Sequence, residues 1–218
     1  EHIMNSQVSI IIPNYNCLQY LDTCIDSIYQ QKNVQFEIII VDDGSTDGSK
    51  EYLEQLAADK SEVRIFSQQR KGVVAARNLA ITQAKSEYLA FLDADDYWSA
   101  DKLAAQFAFH KKHPDCVLSF TDYMHFNENN EDIIGCFDYW PEFKCNKENT
   151  DFQFLDNPIS QMITTNIVGT SSVMVKRSTI VDVGGFDNKL SSATDLDCWL
   201  KIAKKGYVGY STLCAMQD

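Results

Sequence analysis

The sequence specifies an α/β domain around a mostly parallel central sheet, and three features point to it. Short apolar runs rich in β-branched residues alternate with amphipathic segments up to residue 96. The connections between them are short. Polar clusters at 13–16, 42–45 and 93–96 stand at the carboxyl ends of three of the apolar runs. In an open, doubly wound sheet the ligand binds outside that edge. One such cluster predicts only a turn; three on one edge predict a site.

Val8-Ser9-Ile10-Ile11-Ile12, closed by Pro13, predicts a buried strand. Leu18, Leu21, Ile25 and Ile28 then recur at steps of three and four, a helix with one apolar face. Phe36–Val41 is a second buried strand and runs into Asp42-Asp43-Gly44-Ser45. A helix is expected from Thr46 or Asp47, either of which suits a cap, to about Ala58. Val63–Phe66 is a third strand, Val74–Ala84 a helix entered through Gly72, and Tyr88–Leu92 a fourth strand ending at Asp93-Ala94-Asp95-Asp96. Ser99 is expected to cap the next helix, which carries Leu103, Phe107 and Lys111.

The second half is less regular. Val117–Thr121 and Ser172–Lys176 read as strands. A last helix spans about Thr194–Lys205, with Leu196, Trp199, Leu200 and Ala203 on one face and Gly206 as its stop. Residues 126–160 lack periodicity and are expected to form an irregular insertion over the sheet. Its aromatics (Phe126, Phe137, Tyr139, Trp140, Phe143, Phe152 and Phe154) suit either a core that holds the excursion down or a stacking surface. No repeat or low-complexity linker divides the chain, so one domain over 5–218 is expected. Residues 1–4 look like an added leader with a start at Met4. The end at Met216-Gln217-Asp218 carries no clear terminating element, so the expectation is a chain cut short.

Formal net charge is −12 and no basic run is present, which argues against binding nucleic acid by phosphate neutralisation. An acidic chain that binds a phosphate-bearing ligand needs a metal or a local cation. No apolar run approaches the ~18 residues of a membrane-spanning helix. The cysteines number seven, with no Cys-x-x-Cys pair, which favours reduced thiols over a disulfide framework or a zinc site.

Three carboxylates within Asp93–Asp96 repel one another unless a cation or solvent intervenes, and hard oxygen ligands suit Mg²⁺ or Mn²⁺. Carboxylates of Asp42–Asp47 can accept from a ribose or a base N–H. Tyr15, in Pro13-Asn14-Tyr15-Asn16, can stack on a planar base. Asp195, in Thr194-Asp195-Leu196-Asp197, opens a helix whose dipole favours the ionised carboxylate, the starting state of a general base. Each motif taken alone is equally at home in a structural role. These are an acidic helix start, a strand-to-helix turn with Gly44 at positive φ, a polar turn, and simple complementation of the dipole.

Together these segments carry a resemblance. Val8–Asn16, Ile40–Asp47, Gly72–Asn78, Leu92–Asp96 and Gly184-Gly185-Phe186-Asp187 occur in the order and spacing of the family 2 glycosyltransferases, over about residues 7–205. The resemblance implies the GT-A (Rossmann-like) fold as a single domain, with the irregular insertion on the acceptor side. It implies that Pro13 and Tyr15 line the nucleotide base and that Asp43, with Asp42, bonds it, typically uracil. It implies that Lys71 and Gly72 border the nucleotide. Asp93 would reach the ribose or the metal, and Asp95 would ligate Mn²⁺ or Mg²⁺ on the diphosphate. Asp195 falls where the family carries its catalytic base, although Thr194 replaces the usual preceding Glu. Val168–Ser172 and Gly184–Asp187 would shape the sugar and acceptor side.

The activity so implied is inverting, metal-dependent transfer of a hexose or N-acetylhexosamine. The donor is a nucleoside-diphosphate sugar, typically a UDP-sugar, and the acceptor is the hydroxyl of a glycan or lipid-linked sugar. Kinship adds a setting in bacterial surface-polysaccharide synthesis, in the cytoplasm or at the inner face of the membrane, with peripheral membrane association and oligomeric state left open. Three rivals stand beside this. A haloacid-dehalogenase-type phosphatase carries its Asp-x-Asp on the first strand, before Gly-Thr, not after the fourth. A sugar nucleotidyltransferase has a Gly-rich, basic loop after its first strand, where this chain has Pro13-Asn14-Tyr15-Asn16. A degenerate nucleotide-sugar-binding domain would have no need of Asp93, Asp95 and Asp195 together.

Overall fold

The computed structural model describes residues 6–126, 132–143 and 150–217. The proposed leader and parts of the 126–160 stretch lie outside these residues. Strands β1 (Val8–Asn14) and β2 (Phe36–Asp42) are buried on both faces, which is why their sequences are continuous rather than alternating apolar runs. Helix α1 (Leu18–Tyr29) links them and buries Leu21, Ile25 and Ile28. Helix α2 (Ser49–Asp59), β3 (Val63–Ser67), α3 (Val73–Gln83) and β4 (Tyr88–Phe91) complete this half. Its strands lie in the order β3-β2-β1-β4, all parallel.

The chain continues through β5 (Tyr97–Trp98), α4 (Lys102–Lys112), β6 (Cys116–Phe126), β7 (Asp132–Gly135) and α5 (Cys136–Tyr139). Then come β8 (Gln153–Phe154), α6 (Pro158–Thr165), β9 (Met174–Lys176), α7 (Arg177–Asp182), α8 (Thr194–Ala203) and β10 (Tyr207–Gln217). The sheet extends as β4-β9-β6-β10-β5, with β7 on β6 and β8 on β10. Strand β9 runs antiparallel to β4 and β6 and joins two parallel parts. The long ladders, β1–β2 and β6–β10, are parallel, whereas the antiparallel ones are two or three residue pairs long. The result is a mostly parallel sheet flanked by helices.

Side chains alternate across β1. Ile11 joins a core with Ala76 and Ala80 of α3 and Trp199 and Ile202 of α8. Val8, Ile10 and Ile12 join another with Leu21 of α1, Leu53 of α2 and Leu103 of α4. Phe91, Phe186 and Trp199 meet edge-on, with centroids 5.4–5.6 Å apart, and tie α8 to the sheet.

Several boundaries depart from expectation for identifiable reasons. Helix α2 begins at Ser49, because Asp47 serves two helix starts at once. Its Oδ2 accepts Leu18 N–H at 2.9 Å and its Oδ1 accepts Ser49 N–H at 3.0 Å. Ser99 does not cap α4, which begins after Asp101; the Ser99 carbonyl instead accepts Gln31 Nε2–H at 2.6 Å. Helix α8 ends at Ala203, and Gly206 lies in the turn beyond it, where a Cβ would meet the Asp115 carbonyl at 2.6 Å. Strand β10 follows where no element was expected. Its register against β6 shifts three times, which breaks the alternation that reveals a strand. In the insertion, Phe137 and Phe143 are buried, Phe152 stacks on Phe109 at 4.9 Å, and Tyr139 is 66% exposed. The core interpretation therefore holds for Phe137 and Phe143, with Trp140 packed against the same core, and not for Tyr139. No disulfide joins the six described cysteines to one another, and no described helix is long and apolar enough to cross a membrane.

Candidate active site

Strand β1 pairs in parallel with β2 on one side and β4 on the other, so their carboxyl ends emerge on one edge. There Pro13, Asn14, Tyr15, Cys17, Asp43, Val73, Ala76, Asp93, Ala94 and Asp95 line a cleft of about 230 Å³. It gathers five of the expected donor residues: Pro13, Tyr15, Asp43, Asp93 and Asp95. Asp42, Lys71 and Gly72 are not among its lining.

Asp42 is buried and accepts from Asn14 Nδ2 at 2.8 Å, Ser45 Oγ at 2.5 Å and Ser45 N at 3.1 Å. Its lone pairs hold the turn at Gly44, where φ is 80°. Asp43 Oδ1 accepts from Lys71 N and Gln68 Nε2, both at 2.7 Å, and its Oδ2 accepts from Gly72 N at 2.8 Å. Lys71 and Gly72 thus act through their backbone amides. Burial alone pushes the Asp43 carboxyl up, but these donors and the nearby Arg70 charge outweigh it and hold the pKa below its usual value.

Asp93 accepts from Arg77 Nη2 with both oxygens, at 2.7 and 2.9 Å. Arg77 is buried, and its guanidinium lies 5.5 Å from the Phe186 ring centroid. Asp96 is buried and accepts from the Ser171 hydroxyl. Asp95 is the exposed carboxylate of the turn, and it faces the cleft.

The turn Thr170–Ser172 connects this cluster to the late acidic residue. Ser171 Oγ accepts from Asp93 N at 2.9 Å, and the Ser171 carbonyl accepts from Trp98 Nε1 at 2.7 Å. Its neighbour Thr170 donates its hydroxyl to Asp195 Oδ2 at 3.5 Å, while Asp195 Oδ1 accepts from Leu196 N at 2.9 Å. Adjacent residues of one turn therefore grip Asp195 and the 93–96 segment. Asp195 itself is not among the residues that line the cleft.

Among the described residues no group of three or more His, Cys, Asp or Glu side chains is arranged to hold a metal ion by itself. Mg²⁺ and Mn²⁺ are commonly held by one or two carboxylates together with ligand phosphates. The exposed Asp95 and the partly exposed Asp93 are the cleft carboxylates that could do so.

Sequence reasoning missed the roles of Arg77, Thr170, Ser171 and Asn78. Asn78 donates from Nδ2 to the Phe186 carbonyl at 2.8 Å and accepts Phe186 N–H at 2.9 Å. At Gly185 (φ 71°) a Cβ would lie 2.6 Å from Asn78 Oδ1. The segments 72–78 and 184–187 are thus one docked unit. The available signal was Arg77 itself, a lone cation in the otherwise uncharged run Val73–Ile81.

The model of the family described as Glycosyl transferase family 2 matches residues 9–178. A protein of Bacillus subtilis (strain 168) named for teichuronic acid biosynthesis, the glycosyltransferase TuaG, is 30% identical over 204 residues, covering 93% of this chain and 74% of that one. Among solved structures, S. aureus TarS 1–349 in complex with UDP-GlcNAc superposes with a TM-score of 0.77 at 20% identity, over 97% of this chain and 58% of that one. The mannosyltransferase PcManGT from Pyrobaculum calidifontis, in complex with GDP-Man and Mn²⁺, gives 0.75 at 20% identity, over 99% and 57%. The chain spans less than two thirds of both solved chains, and at these identities the likeness is one of fold.

Proposed function

The chain belongs to glycosyl transferase family 2 and is a glycosyltransferase, and on that premise we propose that it transfers a hexose or N-acetylhexosamine from a UDP-sugar to an acceptor hydroxyl, with inversion. The observation that carries this is the convergence of Tyr15, Asp43, Asp93 and Asp95 in one cleft, with Asp195 held by the same turn as the 93–96 segment. The solved relative holding UDP-GlcNAc supports the donor class, and the one holding Mn²⁺ supports a divalent cation. The relative named for teichuronic acid biosynthesis supports a role in bacterial surface-polysaccharide synthesis, with a glycan or lipid-linked sugar as acceptor.

In this mechanism Tyr15 and Pro13 receive the base, and Asp43 fixes the 68–72 loop beside it. Asp95, with Asp93, would hold Mn²⁺ or Mg²⁺, which supplies positive charge to the departing diphosphate. Asp195 accepts the proton of the acceptor hydroxyl. That oxygen attacks the anomeric carbon on the side opposite the diphosphate.

Thermal stabilisation by UDP-, GDP- and dTDP-sugars with Mn²⁺ identifies the donor, because a ligand that binds only the folded chain raises its Tm. Asp195→Asn is then expected to retain UDP binding and lower transfer by about 10²–10⁴-fold. Full turnover by that variant would remove Asp195 from its role. Release of UDP from the donor with Mn²⁺ but not with a chelator separates an enzyme from a binding-only domain.

A further inference from the structure

A cleft that takes a nucleoside diphosphate needs a stacking face for the base and positive charge for the phosphates. This cleft is lined by three carboxylates, Asp43, Asp93 and Asp95, on a chain of net charge −12. The buried Arg77 already gives a bidentate contact to Asp93. One face of Tyr15 is also engaged, by a residue that borders the cleft without lining it. The Arg70 guanidinium lies 3.6 Å from the Tyr15 ring centroid and donates from Nη1 to the Tyr15 hydroxyl. At that separation the guanidinium sits over one face of the Tyr15 ring, as a cation over an aromatic face does.

The backbone around Arg70 is fixed while its side chain is exposed. Gln68 N–H donates to the Asp42 carbonyl at 2.9 Å, and Asp43 holds Gln68, Lys71 and Gly72. Gly44 approaches Arg70 N so closely that a Cβ there would lie 3.3 Å from it. Arg70 can therefore leave Tyr15 by a change of rotamer, without opening the loop.

We infer that Arg70 is a positioning residue that covers the stacking face of Tyr15 until a nucleotide enters, then yields that face to the base and pairs with the diphosphate. This rests on the nucleotide-sugar interpretation above and goes beyond it. One cation opposes the base and favours the phosphates, so the cleft discriminates against a nucleoside that lacks them.

The inference makes a prediction of opposite sign for two ligands. With Mn²⁺ present, Arg70→Ala is expected to tighten uridine about two- to five-fold, the worth of an exposed cation–π contact. The same variant is expected to weaken UDP about ten-fold or more, as a charge-assisted hydrogen bond is lost. Arg70→Lys keeps the charge and loses the plane. It should recover most of the UDP affinity and still bind uridine more tightly than the wild type. Titration of uridine and UDP into the three proteins decides it, with an unchanged Tm as the folding control. Arg70→Ala weakening both ligands alike would make Arg70 a simple part of the base site. No change in either would leave Lys71 as the phosphate cation, which Lys71→Ala would then reveal. Either result overturns the inference while leaving the donor class intact. A wild type that binds neither uridine nor UDP overturns both.

Discussion

The 42–47 turn and the 93–96 turn are both acidic strand ends on the same edge of one sheet, yet they use their carboxylates differently. In the first, Asp42, Asp43 and Asp47 accept from backbone amides, Asn14, Ser45 and Gln68, and the turn and two helix starts are held together. In the second, Asp93 is neutralised by Arg77, Asp96 takes a hydroxyl from Ser171, and Asp95 is exposed in the cleft. Acidity alone does not distinguish scaffold from chemistry. What sets Asp95 apart is its exposure in the cleft, whereas Asp42, Asp43 and Asp96 are buried. The sharpest break in the comparison is Asp95→Ala. It should leave the melting curve unchanged and lower metal-dependent UDP affinity by about 100-fold, a change of roughly 3 kcal/mol. Titration of UDP with Mn²⁺ and with a chelator measures it, and an equal loss in both would make Asp95 a metal-independent contact.

Asp93 stands between the two kinds of carboxylate, because its partner belongs to the fold and its exposed edge to the cleft. Asp93→Asn leaves the buried Arg77 without a counter-charge. For a fully buried pair that costs about 3–5 kcal/mol. The Asp93 side chain is 31% exposed, so about 2 kcal/mol is expected here, read from urea unfolding at pH 7. The double substitution R77M/D93L removes both charges and should recover most of that stability. Failure to recover would mean that Arg77 has a packing role beyond its charge, against Phe186.

This contrast also explains what the sequence could disclose. The first half was legible because its strands are buried on both faces and its helices alternate with them. The convergence of three strand ends followed from parallel order alone. The second half is assembled by long-range pairing. Strand β9 is three residues long and lies between β4 and β6, and β10 owes its place to β6 and β5. Strand β9 was legible within Ser172–Lys176 although its neighbours were not, whereas β10 leaves no strong local pattern. The same limit applies to side chains. Asp47 looked like a cap for the helix that follows it, and its second acceptor serves Leu18, 29 residues earlier. Arg77 and Ser171 acquire their roles from Asp93 and Asp96, which reach them only through the fold. The residue types of the site were visible in sequence, but the division of labour among its carboxylates was not.

Asp43 gives the finest test of the scaffold side of the comparison. Its two oxygens tie the 68–72 loop to β2, and an Asn there offers one acceptor and places an NH₂ against an amide. Asp43→Asn should cost about 1–2 kcal/mol at pH 7. The sign of the pH dependence follows from the lowered carboxyl pKa in the folded chain. Above the unfolded value of about 3.9 the carboxylate is ionised in both states and its full contribution is present. As pH falls through the lower folded value the contribution is lost. The stability gap between wild type and Asp43→Asn should therefore be constant from pH 7 to about 5 and close below about 4. A gap that persists undiminished into the acid range would mean that shape, and not charge, is what Asp43 contributes to the loop.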